Sequence, residues 1–155
     1  MVAIDTRLRD NEAMDISLAP DEVARELIES ADVGWLRDLV DALDRQVRTE
    51  PLNRLTTLWD LSNAAAARIF GVSRQAFSKW LALGPPADRV DDVATVDDIT
   101  SLLDRYVKRE RIPAVVRRPS ERFGDQSIVE RLEAGDYRRT ADLAREMFDL
   151  RRIQP

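Results

Sequence analysis

The segment SNAAAARIFGVSRQAFSKWLAL, residues 62–83, carries the most specific pattern in the chain. It reads as two short helices, residues 62–70 and 74–83, joined by a three-residue turn. Ala66, Ala67 and Phe70 belong to the inner face of the first, and small Ala67 lets the two helices cross closely. Gly71 stands where the turn needs a residue that tolerates positive φ. Val72 plugs the turn into the core, and Ser73 caps the second helix, with Gln75 or Ala76 in its first turn. Phe77 and Trp80 face inward at i and i+3, with Leu81 and Leu83 nearby. Trp80 is therefore read as a core residue rather than a stacking platform.

The small residue, the glycine, the turn plug, the cap and the inward aromatics agree with one another. Together they resemble the helix-turn-helix of phage repressor-like and XRE-type regulators. The remaining face of the second helix is polar: Arg74, Gln75, Ser78 and Lys79. Such residues suit a major groove, where Arg and Lys pair with guanine edges and Gln with adenine. Ser73 joins them at the helix start, and Arg68 on the preceding helix is a candidate phosphate contact. Arg74 and Lys79 suit phosphate contacts equally well. Arg54 and Arg89 are candidates to extend the basic rim. The alternative is a helix pair that makes only protein contacts.

Outward from this segment the chain reads as all-α, with three parts. Residues 1–50 form an acidic helical extension, residues 51–110 the helix-turn-helix domain, and residues 111–155 a small helical C-terminal domain. Residues 1–18 have weak periodicity and read as an arm. Residues 19–30 read as a helix with Pro20 at its first position and Asp21 and Glu22 in its first turn. A second helix runs from Val33 to Arg48, with Trp35, Leu36, Leu39, Val40, Leu43 and Val47 at helical spacing. Pro51 is expected to break it, and Leu52, Leu55, Leu58 and Trp59 to begin another. This pair of acidic helices either makes a dimer seam, with Trp35, Leu39 and Leu43 inside, or packs on its own domain.

Beyond Gly84-Pro85-Pro86, Asp88 to Asp92 read as a linker, and Val96 to Val107 mark a helix of about 12 residues. Ile112 to Val116 is the only β-like stretch. Ile128, Val129 and Leu132 belong to a short helix capped by Ser127 and ended by Gly135. Leu143, Ala144, Met147, Phe148 and Leu150 mark a last helix.

The 155 residues are 44% hydrophobic and 34% charged, a globular composition. Neither cysteine nor histidine occurs. Disulfides, Cys or His metal sites and His-based catalytic sets are thereby excluded. Asp91/Asp92 and Asp97/Asp98 have no partnering base and read as solvated or dipole-complementing, with Mg²⁺ binding as the minor alternative. No enzyme, cofactor or metal is expected. No run approaches a membrane span and the N-terminus lacks a signal-peptide core, so a cytoplasmic protein is expected.

The formal charge of −5 hides a segregation. Residues 1–50 hold 6 basic and 13 acidic side chains; residues 51–90 hold 5 basic and 2 acidic. Such a balance argues against a non-specific polyanion binder and leaves room for a small basic face.

Phe123-Gly124-Asp125, then Ser127-Ile128, Leu132 and Gly135, give a glycine turn, a capped helix and a glycine stop. Following a helix-turn-helix, this order resembles the toxin-binding domain of Xre/MbcA/ParS-type antitoxins, over roughly residues 52–150. In this chain Ser127-Ile128 stands where the family has Ser/Thr-Pro, and a second glycine is missing from the turn. The resemblance implies an antitoxin that neutralises a RES-domain toxin, an enzyme that degrades NAD+. It also implies repression of the shared operon through operator DNA, by a homodimer or a larger assembly with toxin. Carried onto this chain, the toxin-binding candidates are Phe123, Gly124, Asp136, Tyr137, Phe148, Arg151 and Arg152. The alternative function is a stand-alone helix-turn-helix regulator.

Overall fold

The structure is a computed structural model that describes residues 19–149. Among the described residues eight α-helices follow one another, and the only β pairing is an isolated bridge between Ser120 and Gln126. They are α1 (Pro20–Ser30), α2 (Val33–Leu58), α3 (Asn63–Ile69), α4 (Arg74–Leu83), α5 (Val90–Tyr106), α6 (Ile112–Arg117), α7 (Ile128–Glu133) and α8 (Tyr137–Asp149). The expected all-α class stands. The chain divides into two compact units, Met1–Ala42 and Leu43–Pro155. Residues 51–110 and 111–155, read from the sequence as separate domains, fall within the second unit. The arm at residues 1–18, and Leu150, Arg151 and Arg152, lie outside the described residues.

In the first unit, α1 starts at Pro20, and the Glu22 carboxylate reaches back to accept the Ala19 N–H at 3.3 Å. No residue of α1 is buried. The Asp32 carboxylate caps α2 by accepting the Gly34 and Trp35 N–H groups at 2.8 and 3.2 Å. These acidic groups meet the orphan amides and the positive end of each helix.

The expected break at Pro51 is absent, because α2 runs through it. Proline inside a helix forfeits one hydrogen bond and costs about 3 kcal/mol. Leu52 and Leu55, at 0% and 1% exposure, follow it on the buried face. Burying two leucines is worth about 3–6 kcal/mol, enough to offset that cost. The helix instead ends at Leu58, followed by a turn in which Asp60 takes φ 51°. There Arg117 donates to the Trp59 and Asp60 carbonyls at 3.0 and 2.7 Å, and to Pro113 at 2.8 Å. One guanidinium thus holds the end of α2 against α6.

Two further expectations are corrected. The Asp91/Asp92 pair lies not in a linker but in the first turn of α5, which starts at Val90. Carboxylates there favour the helix terminus, so the helix begins earlier than its apolar periodicity. The β-like stretch is helix α6. Ile112 and Val116 are buried at i and i+4 while Ala114 is exposed, which is helical burial and not strand alternation. Pro113 sits in the first turn, where its missing N–H costs nothing.

One hydrophobic core runs through the second unit, from Leu52 to Phe148. α5 packs along α8, α3 against both α4 and α7, and α7 against α6 and α8. Helices from both sequence halves therefore enclose the same apolar centre.

Candidate nucleic-acid interface

The α3–turn–α4 pair is built by local chemistry. Ser62 caps α3 by accepting the Ala65 N–H at 3.2 Å. Gly71 takes φ 62°, and the Gly71 and Val72 N–H groups return to the Arg68 and Ala67 carbonyls at 3.0 Å each. Those bonds satisfy carbonyls that the end of α3 leaves open. Ser73 then caps α4, accepting the Ala76 N–H at 3.1 Å.

Below the turn lies an aromatic cluster. Phe70 stacks on Phe77 at 6.1 Å and tilts against Trp80 at 5.7 Å between ring centroids. Trp80 is thus a core residue, as its spacing predicts; Leu83, expected nearby, is exposed. Tyr137 from α8 stacks on the other neighbour position of Phe70, at 6.3 Å.

The opposite face of α4 carries Arg74, Gln75, Ser78 and Lys79, all exposed. Helical steps of 100° place them within one sector of about 140°. No side-chain hydrogen bond or ion pair joins any of them to another described residue. Ser73 is already a cap, though a hydroxyl that accepts still has its proton to donate. Arg68 differs, because its Nε lies 3.0 Å from Glu133 Oε1. Arg54 and Arg89, the other candidates for a basic rim, pair with Asp97 at 3.4 Å and Asp92 at 3.3 Å. Of the five cations in residues 51–90, Arg74 and Lys79 are those without a carboxylate among the described residues.

The acidic pairs are likewise built into the packing. Asp98 meets Arg145 of α8 at 2.9 Å. Asp97 has its carboxyl pushed above the usual range, mainly by burial; Arg54 opposes that shift, and Asp98 and Glu50 add to it.

The candidates in the C-terminal half have internal work. Phe123 and Phe148 are buried, and Phe148 stacks on Tyr106 at 4.9 Å. Gly124 is exposed with φ 69° and shapes the turn. The Asp136 carboxylate, expected to be offered to a partner, is taken by Arg131. Arg131 also donates to the Phe123 carbonyl at 3.1 Å and to Thr140 Oγ1 at 3.2 Å. The Tyr137 hydroxyl donates to the Ile69 carbonyl at 2.8 Å. Burial raises its pKa, the Asp92 charge adds to this and Arg89 opposes it. Ser127 and Glu130 form a reciprocal capping box at the start of α7, and the hydrogen bonds from Ser127 hold the Glu130 carboxyl below its usual range.

Sequence reasoning missed Arg117 and Arg131. Each lies among ten arginines in residues 111–155, and only the fold distinguishes those that bind carbonyls from those that face water. It also missed a groove of about 420 Å³ whose lining includes Val107, Val115, Phe123 and Phe148 together with Lys108, Arg111 and Arg118. Phe123 and Phe148, two of the toxin-binding candidates, are thus among its lining residues.

Compared with known proteins, the chain matches no family model, no curated protein and no solved structure. Among the described residues no helix is long and apolar enough to cross a membrane.

Proposed function

We propose that this chain is a DNA-binding transcriptional regulator that reads a major groove with α4. One observation carries the reading: a capped ten-residue helix holds its inner face with Phe77 and Trp80 and leaves Arg74, Gln75, Ser78 and Lys79 exposed, without side-chain partners among the described residues. Side chains meant for base edges must be free of internal bonds, since each bidentate base contact is worth about 1–3 kcal/mol. Arg74 and Gln75, in the first turn, are assigned to base edges, as recognition helices present their N-terminal residues to the bases. Lys79, a turn later, is assigned to phosphate. Ser78 serves either.

The fuller reading is an antitoxin that represses its own operon and neutralises a RES-domain toxin through the C-terminal half. The chain order supports it: a helix-turn-helix, then a glycine turn at Gly124, the capped helix α7 and a stop at Gly135 with φ 82°. The groove lined in part by Phe123 and Phe148 supplies an apolar recess on that half.

Two experiments test these readings separately. Selection of bound sites from host genomic DNA should yield a sequence with two related half-sites. Arg74→Ala and Gln75→Ala should each relax preference at one position per half-site, whereas retention of full specificity in both would remove α4 from the interface. Affinity purification from the host should recover a stoichiometric RES-domain protein. Recovery of DNA with no protein partner would leave the stand-alone regulator.

A further inference from the structure

Among the described residues, the first three-fifths of the single helix α2 carry a largely exposed apolar stripe. Val33, Val40, Leu43 and Val47 are 70%, 62%, 51% and 71% exposed, and Leu36 between them is half-buried. Scattered surface apolar residues are ordinary, but these five are not scattered. Their spacing is 3, 4, 3 and 4 residues, the a and d positions of a heptad. Within the second unit, Leu43 and Val47 are exposed and neither belongs to the hydrophobic core, which α2 enters from Leu52 onward. Glu50, at the next d position, and Asp32, just before Val33, bound it with charge.

We infer that a second copy of this chain covers the stripe, the two α2 helices lying parallel and in register as a short two-stranded coiled coil. Three features of the chain select that occupant. The stripe is self-complementary, because its five apolar positions contain no polar group that would ask for a different partner. Valine occupies all three a positions and leucine both d positions, the pairing that favours two parallel strands. One charge pair also matches across it: Arg37 occupies the first e position and Asp32, the cap of α2, the preceding g position, so each Arg37 faces the remaining oxygen of the partner copy's Asp32. The seam differs from the one expected from sequence, since Trp35 and Leu39 fall off the a and d positions. It stands whether or not α4 binds DNA.

The absence of cysteine makes the test direct. Single variants Val33→Cys, Val40→Cys and Val47→Cys of the full chain are oxidised mildly and run without reductant, with Val90→Cys, at the start of α5, as an exposed control. Facing a positions bring Cα atoms close enough for a disulfide. All three should give a dimer band well above the control. If Val33→Cys and Val47→Cys cross-link only when mixed with each other, the helices are antiparallel and the proposal fails. It also fails if Val40→Cys does not exceed the control. Independently, sedimentation equilibrium of the unmodified chain should show a dimer. Val40→Asp should weaken it by at least about 100-fold with unchanged helicity, because the residue is exposed in the single chain and charge is excluded from such a seam. A monomer at high micromolar concentration would overturn the inference.

Discussion

The Tyr137 hydroxyl donates to the Ile69 carbonyl across 68 residues of sequence, at 2.8 Å. With its ring stacked on Phe70, this one side chain ties the first turn of α8 to the end of α3, directly beneath the turn that presents α4. Tyr137→Phe keeps the ring and removes the bond. The expected loss is about 1–2 kcal/mol in urea unfolding, because the carbonyl is left partly desolvated. Since the folded pKa of Tyr137 is raised above 10.0, its stabilising part is complete below that value and lost as pH rises through the folded value. The wild type should therefore lose more stability than Tyr137→Phe above about pH 10.

Gly71 and Gly84 both have positive φ, 62° and 87°, yet their substitutions should differ. A Cβ on Gly71 meets nothing within 4 Å. Gly71→Ala therefore carries only backbone strain, about 1 kcal/mol. A Cβ on Gly84 would lie 2.9 Å from the Arg48 Cβ, and Arg48 is tethered by donating to the Pro85 carbonyl at 3.1 Å. Gly84→Ala should cost about 3 kcal/mol or more. Denaturant midpoints for the two variants check the order, and equal losses would contradict it.

Asp97 is the carboxyl whose ionisation the fold disfavours, chiefly through burial. A raised folded pKa means stability complete below the unfolded value and lost as pH rises through the folded one. Asp97→Asn should thus raise the melting temperature at pH 7, with the advantage shrinking toward pH 4. Thermal melts at both pH values decide it; a loss at pH 7 would mean that the 3.4 Å pair with Arg54 outweighs desolvation.

On the face proposed to meet DNA the charge is thin, because Arg54, Arg68 and Arg89 each have a carboxylate partner. With Arg74 and Lys79 as the phosphate-capable cations of α4, two copies neutralise at most about four phosphates. The salt slope of operator binding should then be no steeper than about −4. Lys79→Ala should flatten it by about 0.9 per half-site without altering sequence preference. A slope near −8 would show that cations elsewhere carry the affinity.

What the sequence made legible was local. Gly71, Ser73, Phe77 and Trp80 act through neighbours within a few residues, so their spacing alone placed the turn, the cap and the inner face. The same holds for Ser127 and Gly135 around α7. What stayed hidden depended on partners distant in the chain. Pro51 looks like a helix breaker until Leu52 and Leu55 are seen buried. Ile112 to Val116 looks like a strand until its two ends are seen packed on one helical face. Asp136 and Arg68 look available until Arg131 and Glu133 are found beside them. Periodicity reports an element's own face, and it is silent about which charges the fold brings together.

The core that α3, α5, α7 and α8 enclose together has a consequence for how this chain is inherited and engineered. A recognition helix on an independent domain is a portable cassette, free to be cut out and grafted. Here severing the chain after residue 110 would strip α5 of α8 and bare Val96, Ile99 and Leu103 to water. Whatever grips the C-terminal half thus pulls on the same cooperative block that aims α4. Neither half is able to change its packing in private.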